Sequence, residues 1–238
     1  MIRGNLQAAR QSSHARAIAA RTTWSLGGDI RWGAIDAPRA RAQDGLLRSV
    51  RRAAVAAAVR PVRVSALLQL LTADVHGSAV CSLDLYDGLK HFHALRMYLE
   101  TVEHRPAISD GELAAAREAE RGAAVPEGDE IRLIVEFILA QHLSAHTFRR
   151  LGTQSDEPVL AEILELIAAD EIRHARCMTD VLRARTESDS AVAAQVASEV
   201  ARLRDTRERR RAGATDEEAA DDLAYRSFAK SLDGGGRM

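Results

Sequence analysis

The chain has 238 residues, of which 46% are hydrophobic and 28% are charged, and its formal net charge is -1. This composition is typical of a globular protein, and the near-zero charge argues against general binding to nucleic acid or to a membrane surface. The two cysteines are too few for a disulfide framework. We find neither the apolar core of a signal peptide nor an apolar run of the roughly 18 residues that span a membrane, so we expect a cytoplasmic protein.

The first 43 residues predict a helical extension that precedes the main domain. Residues 5–24 are rich in Ala and Arg and predict a helix, after which Gly27, Gly28 and Pro38 mark an irregular connection. The basic, acid-free start is also compatible with a transit peptide. Its apolar positions equally suit packing on the domain.

Two long helices are predicted next, over residues 44–72 and 75–104. The first contains Pro61, which is expected to kink it, and there is no Asp or Glu between Asp44 and Asp74. The second has polar residues in the middle of a stripe whose ends are apolar. That stripe consists of Val80, Asp84, Asp87, His91, Leu95 and Tyr98.

A capping box at Ser109 and Glu112 predicts a short helix that ends near Glu120. Residues 129–151 then predict a core helix, because apolar residues occupy nearly every face of that helix. Gly152 is expected to end it. The polar residues of this third long helix are Glu136, Gln141, His142 and His146.

The fourth long helix, over residues 156–185, carries Glu171 and His174 in the middle of an apolar face. Burying a carboxylate and an imidazole is costly unless something pairs with them, and a metal ion could bind both because they lie one turn apart. Further helices are predicted over residues 188–211 and from Thr215 onward.

Four long helices with short links inside each pair, and a longer link between the pairs, predict an all-α protein with a ferritin-like four-helix bundle. We place the bundle at residues 44–186, with residues 1–43 as the N-terminal extension. Residues 187–238 are expected to form C-terminal helices that pack on the bundle or extend from it.

Two segments carry a resemblance to a known family. The segment from Asp87 to His91 resembles the Glu-Glu-x-Arg/Lys-His segment of the ferritin-like di-iron superfamily, in its acyl-carrier-protein desaturase-like branch. The segment from Asp170 to His174 is similar to the Asp-Glu-x-x-His of that family. The likeness covers roughly residues 45–185. It implies iron, O2 and an acyl substrate, possible delivery of that substrate by a carrier protein, and an external electron donor.

The family site takes a Glu from each of two helices and Glu-x-x-His from each of the other two. Here the second helix has Gly88 where the Glu is expected, the first has only Ala and Val over residues 53–58, and the third has Gln141 or His142 near the expected position. The candidate metal ligands are therefore Glu171, His174, His91, His142, Asp87 and Glu136. The sequence leaves open whether the site holds two iron ions, one or none.

Two classes of function follow. The first is an iron-dependent oxidoreductase, a desaturase or oxygenase, that acts on an acyl or similar apolar substrate with O2. The second is a catalytically inactive paralogue that serves as a structural or heterodimeric partner, with a hydrogen-bond network or one structural metal in place of the centre. A mononuclear metalloenzyme is a third, and a homodimer is compatible with the fold. Four or more inward carboxylates would support two irons, and two would argue against them.

Overall fold

The computed structural model describes residues 24–122, 130–211 and 216–233, and within these ranges it is all-helical, with no strand. The helix predicted over residues 5–24 therefore lies outside this description, except for Trp24. A short 3-10 turn, Trp32–Ala34, precedes the α-helices. These are α1 (Ala37–Arg41), α2 (Asp44–Leu70), α3 (Val75–Thr101), α4 (Asp110–Gly122), α5 (Glu130–Gln154), α6 (Pro158–Ser188), α7 (Ser190–Arg211) and α8 (Asp216–Asp233).

The four long helices that the sequence predicts are present as α2, α3, α5 and α6, with ends that differ by a few residues. Pro61 lies inside α2, which continues on both sides of it. Gly152 was expected to end the third long helix, but α5 continues to Gln154. Packing does not require a glycine at this position, because a β-carbon on Gly152 would lie 3.6 Å from the backbone oxygen of Ala161 and from Leu164 on α6, an ordinary van der Waals distance.

A buried carboxylate begins α6. Glu157 accepts hydrogen bonds from the backbone N–H groups of Val159 and Leu160, at 3.2 and 2.8 Å. The Tyr98 hydroxyl of α3 donates to the same carboxylate at 3.0 Å. Burial first, and then the adjacent Glu157 charge, raise the pKa of Tyr98. The start of α6 is thus fixed to α3 by a cap that also satisfies a buried hydroxyl.

Replacing Glu157 with alanine is expected to lower the free energy of unfolding by about 2 kcal/mol, because the cap is lost and the buried Tyr98 hydroxyl loses its acceptor. Urea denaturation followed by circular dichroism measures this. Asp189→Ala is the control, since Asp189 caps α7 at an exposed site by accepting from Ala191. Equal losses in the two variants would contradict the role assigned to the buried cap.

Helix packing follows the order of the chain. α2 packs against α3 and α5 against α6, and the contacts of α3 with α6 and of α2 with α5 join these pairs into a bundle. α4 packs on α2, while α7 and α8 pack on α5 and α6. An all-α bundle is therefore established.

Two apolar clusters fill the bundle, one at each end of the long helices. One includes Leu47, Tyr98, Phe148 and Ile163. The other includes Val64, Val80, Ile134, Met178 and Phe228. Each long helix contributes residues to both clusters, one at either end of the helix. The residues between the clusters form one layer at mid-height, and that layer is polar.

α2 has the length and the apolar composition to cross a membrane, and a third of the apolar window concerned is buried. The expectation that no stretch of this length exists is therefore wrong for α2. The finding is weak evidence for a membrane span, because core helices of soluble proteins pass the same test.

Candidate functional site: a buried ionic layer

All four long helices contribute a polar side chain to the layer between the two apolar clusters. We call this set the ionic layer and define it by its residues. They are Arg60 of α2, Asp84, Asp87, Lys90 and His91 of α3, Gln141 of α5, and Asp170, Glu171, Arg173 and His174 of α6.

The two sequence motifs bind each other through their aspartates and histidines. Nε2 of His174 on α6 lies 2.9 Å from Oδ2 of Asp87 on α3. Nε2 of His91 on α3 lies 3.0 Å from Oδ2 of Asp170 on α6. Each aspartate thus holds the histidine of the opposite motif, which fixes the orientation of both rings and braces α3 against α6.

The other nitrogen of each ring faces a second, more central carboxylate. Nδ1 of His174 lies 3.1 Å from Oδ1 of Asp84, and Nδ1 of His91 lies 3.4 Å from Oε1 of Glu171. Asp84 and Glu171 have no exposed surface. The layer therefore has an inner pair of carboxylates, Asp84 and Glu171, and an outer pair formed by the two bracing aspartates.

Two cations neutralise the outer carboxylates. Nζ of Lys90 lies 2.7 Å from Asp87 and 3.1 Å from Asp170. The Arg173 guanidinium binds the same two carboxylates, at 2.6 and 2.7 Å. Because both cations bridge α3 and α6, the outer carboxylates are structural ion pairs as well as partners of the histidines.

Arg60 of α2 neutralises the inner carboxylates. Its Nη1 lies 3.1 Å from Oδ1 of Asp84, and its Nη2 lies 2.5 Å from Oε1 of Glu171. The Gln141 amide of α5 also donates to Oδ1 of Asp84, at 2.8 Å. The resemblance described above implies a carboxylate from α2. This helix supplies the Arg60 guanidinium instead, which lies between the two inner carboxylates.

Gly88 on α3 has no side chain, and this leaves room for Arg60. A β-carbon at Gly88 would lie 2.8 Å from Cδ of Arg60, closer than such contacts occur in proteins. Gly88 is three residues before His91, where the resemblance expects a glutamate. The absence of a side chain at position 88 and the position of the guanidinium are therefore sterically linked.

Gly88→Ala is expected to lower the free energy of unfolding by about 1–2 kcal/mol, because Arg60 must shift away from its two carboxylates. Gly111→Ala on α4 is the control, since a β-carbon there meets nothing within 4 Å. Thermal and urea unfolding of both variants test this. A Gly88→Ala protein as stable as the wild type would show that Arg60 adjusts without loss.

Trp24, the first residue that the structure describes, closes the outer side of the layer. Its Nε1 donates to Oδ2 of Asp170 at 3.0 Å, and its ring stacks parallel to that of His91 with 6.1 Å between centroids. Nζ of Lys90 lies 4.4 Å from the centre of the Trp24 ring. The N-terminal extension is thus held to the layer by hydrogen-bond, stacking and cation–π contacts.

Groups of opposite charge face each other in the layer. Burial favours the neutral acid of Glu171, but the Arg60 guanidinium outweighs it and holds the pKa at about 2. Burial also opposes the charge on Asp87, yet the hydrogen bond from His174 keeps the pKa of that carboxyl well below its usual range. Burial would lower the pKa of His174, but Asp84 and Asp87 raise it to about 9. The four carboxylates therefore lie against Arg60, Lys90, Arg173 and His174, whose raised pKa favours the imidazolium form at neutral pH.

A cleft of about 480 Å³ leads to the layer between α2 and α5. Small side chains line it, among them Ala53 and Ala57 of α2 and Ala140 of α5, and Arg60 and Gln141 also lie in its wall. Arg60 is therefore the part of the inner layer that a ligand or an ion entering through the cleft meets first.

Four of the six predicted ligands come together in the layer: Glu171, His174, His91 and Asp87. Of these, Asp87 lies on the outer side, where it binds Nε2 of His174. The more central carboxylate of α3 is Asp84, one turn before Gly88.

The two predicted ligands of α5 lie elsewhere. His142 is buried against α8, with its ring 6.4 Å from that of Phe228, and burial lowers its pKa to about 4. Its two ring nitrogens have no hydrogen-bond partner among the described residues. Glu136 pairs with Arg132 and Arg202, at 3.0 and 2.7 Å. The layer residue of α5 is Gln141.

The sequence patterns did not predict Arg60 as a residue of this site. One signal was available, because Arg60 and Arg63 are the only charged residues of α2 from residue 53 to residue 70. Asp84 was visible in the polar stripe of α3. Neither pattern indicates that these two side chains meet.

The described residues do not fit a two-iron centre. Such a centre needs bridging carboxylates that hold both ions and neutralise their charge. The layer does contain four buried carboxylates, the number expected to support two irons. However, Lys90 and Arg173 bind Asp87 and Asp170, and the Arg60 guanidinium binds Asp84 and Glu171.

No protein-family model matches the chain, and no curated protein or solved structure is significantly similar to it.

Proposed function

We propose that this chain is a non-catalytic, ferritin-like bundle in which the ionic layer takes the place of the two-iron centre. Its role is then that of a structural protein or of one partner in a heterodimer. The observation that supports this most is the Arg60 guanidinium between Asp84 and Glu171. A guanidinium carries its charge permanently, so it opposes the binding of a metal cation at the same carboxylates.

The charge balance of the layer supports the same proposal. A buried carboxylate without a partner is strongly destabilising, and ferritin-like centres use metal ions as such partners. Here Arg60, Lys90 and Arg173 supply the positive charge from the chain itself. The bundle therefore has what it needs to fold without metal.

An exposed stripe on α3 supports a role in binding a partner. Tyr86, Leu89 and Met97 recur at helical spacing and are 69%, 44% and 39% exposed. Tyr and Met are enriched in protein interfaces, and a row of them on one helix suits a helix of another subunit. Docking there would leave the ionic layer undisturbed, since these residues point away from it.

The test is metal content together with stability. The protein is expressed with added iron and measured by elemental mass spectrometry, and its thermal unfolding is recorded with and without a chelator. We expect metal far below one ion per chain and the same midpoint in both conditions. Two irons per chain, or a midpoint that falls with the chelator, would contradict the proposal.

The alternative is the iron-dependent oxidoreductase, with O2, a carrier-bound acyl substrate and an external electron donor. It is favoured by the convergence of Asp84, Glu171 and His174, whose ligand atoms lie within 4.8 Å of one another. It requires Arg60 to leave these carboxylates when iron binds. The same metal measurement separates the two functions.

A further inference from the structure

Four buried atoms of the inner layer make no well-aligned hydrogen bond within the described part of the chain: Oδ2 of Asp84, Oε2 of Glu171, Nδ1 of His91 and Nδ1 of His174. The two ring nitrogens lie 3.1 Å from Asp84 (His174) and 3.4 Å from Glu171 (His91), whereas the two carboxylate oxygens have no partner among the described residues. All four residues have no exposed surface. Buried polar atoms are nearly always paired, so four such atoms in one layer need a physical explanation.

The chemistry of the four atoms is that of metal ligands. Carboxylate oxygens and imidazole nitrogens bind Zn²⁺, Fe²⁺ and Co²⁺. Both histidines already bind an aspartate through Nε2, at 2.9 and 3.0 Å, which is the usual support of a histidine that binds metal through Nδ1. The supports of a metal site are therefore present even though Arg60 holds the inner carboxylates.

The spacing suits one ion. One ligand atom each from Asp84, Glu171 and His174 lies within 4.8 Å of the others. Neighbouring ligands at about 2.0–2.2 Å from a common tetrahedral ion are about 3.3–3.6 Å apart, so these three groups need only small shifts to bind one ion. Nδ1 of His91 lies 3.4 Å from Oε1 of Glu171, beside this group of three.

We propose that Asp84, Glu171 and His174, with His91 beside them, form a latent site for a single divalent cation, and that the Arg60 guanidinium occupies this site and keeps metal out. This inference rests on the proposed function, in which the natural protein holds no metal. Arg60 bridges Asp84 and Glu171, the two carboxylates that the ion would bind. Guanidinium and metal therefore exclude each other.

The cleft provides the path for an ion. Arg60 and Gln141 lie in its wall, so a shorter, uncharged side chain at position 60 would open the inner carboxylates to it. A metal site needs such an entry path as well as ligands. Arg60 thus controls both the charge of the site and access to it.

The experiment replaces Arg60 with glutamine and titrates the full chain with Co²⁺, whose visible absorption reports direct binding by imidazole and carboxylate. Arg60→Lys is the matched control because it keeps the positive charge. We expect Arg60→Gln to bind one Co²⁺ per chain at least about 100-fold more tightly than the wild type, since the cation that competes for Asp84 and Glu171 is removed. Arg60→Lys is expected to behave like the wild type.

A second variant, Arg60→Met, is titrated in the same way, and both variants are expected to be less stable than the wild type without metal. If either variant is unfolded without metal, recovery of the helical circular dichroism on adding Co²⁺ supports the proposal, and failure to recover overturns it. Adding His174→Gln to Arg60→Gln should abolish the absorption bands. Bands that persist in this double variant would place the ion elsewhere and overturn the assignment.

Failure of this inference can be told apart from failure of the proposed function. A wild type without metal, together with a folded Arg60→Gln protein that binds no Co²⁺, overturns the latent site alone. Equal binding by Arg60→Gln and Arg60→Lys overturns the role of the charge. Two irons in the wild type overturn the proposed function, and one tightly bound ion in the wild type overturns exclusion by Arg60.

Discussion

Replacing Arg60 with methionine is expected to lower the free energy of unfolding by about 3–5 kcal/mol in metal-free buffer at neutral pH. The guanidinium is the cation bound to both Asp84 and Glu171, which have no exposed surface. Methionine replaces the aliphatic stem of arginine but supplies no charge, so both carboxylates remain buried with weaker compensation. Urea denaturation followed by circular dichroism measures the loss.

The matched control for Arg60 is Arg63, one turn further along α2. Its side chain is 60% exposed and pairs with Glu120. Arg63→Met is therefore expected to cost less than about 1 kcal/mol, as exposed ion pairs generally do. Adding Glu171→Gln to Arg60→Met should recover part of the loss, because one unpaired charge is removed. Similar losses for both arginines would contradict the burial argument.

Stability of the metal-free protein is expected to fall as the pH rises from 6.5 to about 9, owing to His174. The contacts with Asp84 and Asp87 outweigh burial and raise the pKa of His174 from 6.5 to about 9. A group with a raised pKa in the folded state stabilises fully below its unfolded pKa and loses that contribution as the pH rises through the folded value. The loss is on the order of 3 kcal/mol.

The variant His174→Gln tests this pH dependence. It should be less stable than the wild type at pH 6, and its stability should change little between pH 6.5 and 9. On the acid side the sign reverses, because the pKa of Glu171 is held at about 2 and that of Asp87 lies well below its usual range. Their contribution is present above pH 4.5 and is lost as the pH falls toward 2. A wild-type profile that is flat from pH 6.5 to 9 would show that His174 is neutral.

The sequence by itself was sufficient to locate the four long helices. Helical periodicity located the four long helices, and local capping signals located their starts, as at Glu157 before Pro158 of α6. These features depend on residues within one or two turns of each other, so a local pattern contains them. The pairing of Glu171 with His174 on one face was predictable for the same reason.

Only the tertiary structure decided what fills the centre of the bundle. Whether Asp84 or Asp87 lies inward depends on the rotation of α3, and the contacts of Arg60 with Asp84 and Glu171 depend on the register of three helices. The residues concerned are up to 111 positions apart in the chain. No local pattern encodes a distance between side chains on different helices. The sequence therefore determined the helices and the motif, whereas helix packing decided that a guanidinium lies where a metal was expected.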